Sequence, residues 1–199
     1  MVFKDRRKKY VYLMHEDELR RRVEKHKIAG SIGIDPSVTQ DVVQMNFSRA
    51  VNELKTARAL FKISTEKDLR RAVEAEPEDT FYSSAISHAY YSIFFATKAL
   101  LLTEKIKTSS PNVHVATLDA FAYEFVISGK LDVKLLELYR SSLIKADSLL
   151  GLLIEEKNKR GLFTYKILPQ ANKEPAEQSI KHAVEFLKHI KQLIINWKR

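Results

Sequence analysis

A chain of 199 residues with only five Gly and five Pro disfavours a turn-rich all-β design, and 45% hydrophobic content disfavours wholesale disorder. The absence of Cys removes disulfide frameworks, thiolate nucleophiles and Cys-ligated zinc, and is compatible with a reducing cytoplasm. The net charge of +9 is uneven: the first 27 residues hold ten Lys or Arg against five Asp or Glu, which suggests RNA, an acidic protein partner, or simply a solvated basic arm.

Read in order, the N-terminal apolar piece Tyr10–Met14 is too short for the core of a signal peptide, so no secretion and no membrane association are expected. Residues Met14 to Ala29 read as a short charged helix, with Leu19, Val23 and Ile28 inward and Arg20, Arg21 and Arg22 outward. Ala29 to Ile34 is a break carrying two of the five glycines. It sets the expected boundary between a basic N-terminal extension, residues 1–34, and a helical-bundle domain, residues 35–199.

Asp35-Pro36 signals a helix start, and Val43, Phe47, Ala50, Val51, Leu54 and Phe61 carry helical spacing to Ile63. Thr65-Glu66-Lys67-Asp68 has the form of a capping box for a short helix ending near Glu76. Pro77 to Thr80 then open the stretch Phe81 to Leu102. From Ala89 onward its one charge is Lys98, and it contains no Gly or Pro. It is too long for a buried strand, while Lys98 interrupts a run already short for a membrane span. It is therefore read as the central helix of a bundle. Ile86, Ala89, Tyr90, Ile93, Ala96, Leu100 and Leu101 share an apolar face, and Ser84, Ser87, His88, Tyr91, Phe95 and Lys98 form the opposite stripe. Such a stripe on a mostly buried helix is expected to face a crevice or a second subunit.

After a turn at Ser109 to Pro111, Asn112 to Val126 reads as a helix with Val115, Leu118, Phe121 and Phe125 inward. Ser128-Gly129-Lys130 breaks the chain again. Asp132 to Lys159 is the longest periodic segment, with Leu136, Tyr139, Leu143, Ala146, Leu150 and Leu153 in a narrow stripe suited to antiparallel packing. Gly151 within it costs about 1 kcal/mol relative to Ala. Lys157 to Gly161 end that helix with cations near its negative pole, and Leu162 to Lys173 reads as a connection. A last helix runs from Pro175 to Trp197, with Ile180, Ala183, Val184, Leu187 and Ile194 inward. No stretch has strand periodicity, so the expectation is an all-α, up-and-down bundle with an additional N-terminal helix.

Four blocks of this chain resemble the HEPN family, helical-bundle domains linked to nucleotides and RNA. His88-Ala89-Tyr90-Tyr91-Ser92-Ile93-Phe94 with Lys98-Ala99-Leu100-Leu101 is similar to its Ala-Tyr-Tyr helix. Ser110 to His114, followed by Phe121 and Phe125, is similar to its Ser/Thr-x-x-x-His segment. Arg160 to Tyr165 resembles an Arg-x-x-x-x-Tyr form of the late motif, and Ala183-Val184-Glu185-Phe186 the Ala-x-x-Phe of the closing helix. The blocks span Asn46 to Ile195; the basic extension and the Thr65 to Pro77 insertion fall outside. The resemblance implies a four-to-five-helix core that dimerises, and often a toxin neutralised by a minimal nucleotidyltransferase. Active relatives are metal-independent endoribonucleases carrying Arg-x(4–6)-His, the Arg holding phosphate and the His moving protons. Here Tyr165 stands in the His position and Phe95 where many relatives have a His. Tyr, with an ordinary pKa of about 10, is a poor base at neutral pH.

The first reading is therefore a dimeric, nucleotide- or RNA-associated binding module of a toxin–antitoxin or nucleotidyltransferase-partner system. The second is an endoribonuclease using Arg160 with Tyr165, or a displaced His such as His88 or His114. Candidate ligand residues are His88, Tyr91, Lys98 and His114. For each there is a plain alternative: a helix cap for Arg160, packing for Tyr165, a neighbour's hydrogen bond for His88, a snorkelling Lys98, a capping role for His114. No aromatic platform is interleaved with the basic clusters in sequence. His182, Glu185 and His189 recur at helical spacing but lie opposite the apolar face of the last helix, so they read as solvated; no metal site and no cofactor are expected.

Overall fold

The computed structural model describes residues 6–159 and 173–196, with side-chain surroundings for 10–146 and 173–196. A 3₁₀ segment, Arg6–Met14, precedes α1 (Glu16–Ile28), the short strand β1 (Ile32–Ile34), α2 (Gln40–Thr65) and α3 (Lys67–Ala72). Next come α4 (Tyr82–Thr103), β2 (Ile106–Thr108), α5 (Val113–Phe121) running into a π-helical turn (Ala122–Ile127), α6 (Val133–Lys159) and α7 (Lys173–Asn196). The architecture is an all-α bundle. Among the described residues no helix is long and apolar enough to cross a membrane.

The central helix is α4, flanked mainly by α2 and α7, with α5 and α6 closing the remaining sides. All seven residues of its expected apolar face are buried. The close approach of its neighbours follows from residue size. Ala85, Ala89, Ala96 and Ala99 on α4, Ala50 and Ala57 on α2, and Ala176 and Ala183 on α7 have no exposed surface, so side chains barely separate the helix backbones. At one such point the buried Ser92 hydroxyl donates across to the α2 carbonyl of Ala50 at 2.8 Å. Where α4 meets α5, α6 and α7, large rings fill the space instead. Phe121, Tyr139 and Phe186 lie 5.8 to 6.1 Å apart, and Tyr90 stands 6.3 Å from Tyr139. These tilted and edge-on separations suit aromatic packing.

Several local expectations are corrected. A two-stranded antiparallel ribbon exists, β1 on β2, with Ile32 opposite Thr108 and Ile34 opposite Ile106; three residues are too few to show a period in sequence. Helix α2 starts at Gln40, not at Pro36. The Asp35 carboxylate accepts from the Ser37 N–H and hydroxyl, making an Asx turn, and Thr39 takes the N-cap position. The capping box does not form: Thr65 donates back to the Phe61 carbonyl at 3.1 Å, Glu66 is the N-cap of α3, and α3 stops at Ala72. Leu19 and Val23 are buried as expected, but Ile28 is 88% exposed. The Asn112 to Val126 helix is α5 plus the π-helical turn. Leu150, Leu153 and Trp197 lie outside the residues with described side chains.

Candidate functional site

The polar stripe of α4 and the adjoining face of α2 form one surface. Ser84 and Tyr91 are exposed, and Ser87, His88, Phe95 and Lys98 half-buried, so the stripe borders solvent in the single chain. From α2, one turn apart, come Arg49 and Glu53. His88 Nδ1 lies 2.7 Å from Glu53 Oε2, while Arg49 Nε is 3.8 Å from Glu53 Oε1. The Arg49 guanidinium sits 3.9 Å above the Phe95 ring, a cation–π contact.

Tyr91, 39% exposed, stacks obliquely between Tyr90 and Phe95 at 5.7 and 6.5 Å. Phe94 meets Phe95 edge-on at 5.1 Å. His114, in the first turn of α5, is 4.4 Å from Phe94 and 6.0 Å from Tyr91, ring to ring, and its Nδ1 is 2.8 Å from the Tyr90 hydroxyl. The aromatic platform not visible in the sequence is thus assembled by folding, and it lies beside cations.

Lys98 is the electrostatic centre. Its pKa is lowered first by burial, then by the nearby charges of Arg49 and Lys107. Its ammonium lies 5.7 Å over Phe94. Lys107, from β2, is exposed and pairs with Asp35 at 3.4 Å. Lys98 is thus partly dehydrated over an aromatic ring and feels two further cations, Arg49 from α2 and Lys107 from β2, each with a carboxylate of its own, Glu53 and Asp35. Such a spot favours an anion, because oxyanion binding relieves the mutual repulsion while the rings offer a face for stacking.

His88, Tyr91 and Lys98 share this face, and His114 adjoins it through Tyr91. Arg160 and Tyr165 lie outside the described residues. Arg49, Glu53 and Lys107 were missed in sequence. The i, i+4 spacing of Arg49 and Glu53 on the outer side of α2 was an available signal; Lys107 had none. His182 is corrected: its ring is half-buried, its Nδ1 is sealed with no partner among the described residues, and burial, then Lys145, lowers its pKa. Glu185 instead pairs with Lys134 at 2.7 Å. Among the described residues no group of three His, Asp or Glu is placed to hold a metal ion.

Residues 60–193 match the family model described as HEPN domain. The chain belongs to the HEPN family. It is also 33% identical over 148 residues, 73% of this chain and 88% of the relative, to the Methanocaldococcus jannaschii protein named "Putative toxin MJ0142". No solved structure matches the chain.

Proposed function

We propose that this chain is the toxin-side HEPN component of a toxin–antitoxin pair and that it binds RNA or a nucleotide on the α2–α4 face. The single observation that carries the reading is the half-buried Lys98 ammonium 5.7 Å over the Phe94 ring, its pKa lowered by burial and then by the charges of Arg49 and Lys107. Tyr91 and Phe95 supply stacking faces beside it, and His88, oriented by Glu53, supplies a hydrogen-bonding edge. The name of the M. jannaschii relative supports the toxin side of the pair. The proposed assembly is a homodimer formed next to this face, where Met45 and Val42, one and two turns before Arg49 on α2, are exposed. The proposed partner is a minimal nucleotidyltransferase, with Tyr165 as a phosphate contact or modification point near Arg160. The proposed compartment is the cytoplasm, consistent with a chain that has no Cys.

The test is fluorescence anisotropy with a labelled single-stranded RNA in EDTA, comparing wild type with Lys98→Gln. The expected result is saturable, salt-dependent binding, about tenfold weaker in the variant and with a salt slope lower by about 1. No saturable binding, or a variant indistinguishable from wild type, would contradict the reading.

A second reading is favoured by one contact, the 2.7 Å approach of His88 to Glu53, since a carboxylate-oriented imidazole suits proton transfer. On that reading the chain is a metal-independent endoribonuclease with Arg160 holding phosphate and His88, His114 or Tyr165 nearby. Cleavage of the same RNA in EDTA, abolished by Arg160→Ala, would replace the binding-module reading; intact RNA would retire the enzyme.

A further inference from the structure

Residues before α2 lie outside the 60–193 family match, yet they are bonded to the two parts of the ligand face that neither α2 nor α4 supplies. The first part is the turn from α4 to α5, which carries Lys107 and leads into His114. Besides the β1–β2 pairing, Ser109 N–H donates to the Ser31 carbonyl and the Ser109 hydroxyl to the Gly30 carbonyl, both at 3.0 Å. The Ser31 hydroxyl donates to the Pro111 carbonyl at 2.6 Å, and Lys105 Nζ to the Val38 carbonyl at 2.5 Å.

The second part is α5 itself. Asp119, five residues after His114, is fully buried on the inner side of α5, and three side chains of the N-terminal segment converge on it. The Tyr12 hydroxyl donates to Oδ1 at 2.6 Å, Arg22 Nε to Oδ2 at 3.0 Å, and His26 Nε2 lies 3.2 Å from Oδ2. Arg22 also covers the Tyr12 ring at 3.8 Å. Burial, then the Asp119 carboxylate, push the Tyr12 hydroxyl far above its ordinary range, so it stays a donor. Tyr10, Leu13, Leu19 and Val23 bury their side chains in the same core.

We propose that the N-terminal segment is a strap that holds Lys107 and His114 against α4 and so sets the affinity of the α2–α4 face for RNA. The inference rests on the reading of that face as the ligand site. Its physical basis is that the strap supplies the partners of Lys107. The one strand paired with β2 among the described residues is β1, and the Lys107 ammonium lies 3.4 Å from the carboxylate of Asp35, the residue after β1. Without the strap Lys107 loses both, and repulsion from the like charges of Arg49 and Lys98 drives it away. Linkage makes the relation reciprocal: an anion bound on the face tightens the strap.

Two variants remove strap bonds without changing charge. Tyr12→Phe deletes the hydroxyl bond to Asp119, and Ser31→Ala deletes the bond to Pro111. In each, amide hydrogen exchange at 106–108 and 113–116 is expected to speed up, and affinity for the single-stranded RNA to fall several-fold. The affinity loss of Ser31→Ala should vanish in a Lys107→Gln background, and that of Tyr12→Phe in a His114→Gln background, because the strap then has nothing left to place. A purely structural role predicts the same losses in the substituted backgrounds as in wild type, and that result, or unchanged exchange in both variants, overturns the proposal. If wild type fails to bind RNA, the ligand-site reading falls, while the exchange measurement still decides whether the strap orders Lys107 and His114.

Discussion

Two carboxylates in this molecule each meet one arginine and one histidine, and they are not equivalent. Asp119 is fully buried, held by Arg22 at 3.0 Å and His26 at 3.2 Å, and further satisfied by the Tyr12 hydroxyl. Glu53 keeps 18% of its side chain in solvent, grips His88 at 2.7 Å and holds Arg49 loosely at 3.8 Å. The same three residue types thus make a fixed joint in one place and an exchangeable surface in the other. The difference is dehydration. A buried carboxylate with every partner in place cannot release one without stranding a charge, whereas a hydrated one can trade a partner for a ligand.

The largest expected effect breaks the joint. Asp119→Ala leaves Arg22, His26 and Tyr12 without their acceptor and should cost about 3 kcal/mol in urea unfolding. Glu53→Ala should cost less than about 1 kcal/mol in the same measurement. Equal costs would erase the distinction between the two clusters. Next in size is ligand binding: Arg49→Gln should weaken RNA binding by about tenfold in anisotropy while leaving unfolding nearly unchanged. A stability loss as large as that of Asp119→Ala would make Arg49 a structural residue instead.

A third region, between α6 and α7, sharpens the comparison because two of its polar atoms, His182 Nδ1 and Ser142 Oγ, are sealed from solvent with no partner among the described residues. Burial and the Lys145 charge depress the His182 pKa, so the unfolded chain takes up this proton at a higher pH than the folded one. Stability from the neutral ring is present above the ordinary imidazole value and is lost as pH falls from about 6.5 toward the depressed one. Wild type minus His182→Gln, followed by thermal melts across that window, should show this slope; parallel curves would contradict it. The smallest effect concerns Ser142, buried with no partner for its hydroxyl among the described residues. Ser142→Ala should be neutral or stabilising by up to about 1 kcal/mol, and a clear loss would mean that the hydroxyl has a partner.

The interior was legible in sequence wherever one helix carried its own pattern. The seven inward positions of α4 recur at helical spacing from Ile86 to Leu101, long enough for the 3.6 period to stand out. His88, Tyr91 and Lys98 were legible as the remainder of that wheel. The surroundings of the stripe were not, because they come from other elements. Lys107 adds its charge from a strand too short to have a period, and Arg49 reaches Phe95 from α2. The Asp119 joint was least legible of all: its partners lie 93, 97 and 107 residues away, and a lone Asp within Val113–Phe121 gives no hint of burial. The start of α2 went astray for a local reason, since Asp35 makes its hydrogen bonds to Ser37 within a turn rather than to a helix end.

The most direct measurement maps the bound RNA by chemical shift on isotope-labelled protein. Changes are expected to concentrate at Arg49, Glu53, His88, Tyr91, Lys98 and Lys107, with the ring signals of His26 and Tyr12 nearly still. Changes centred on Arg22 and His26, or spread evenly over the exposed lysines, would contradict that expectation.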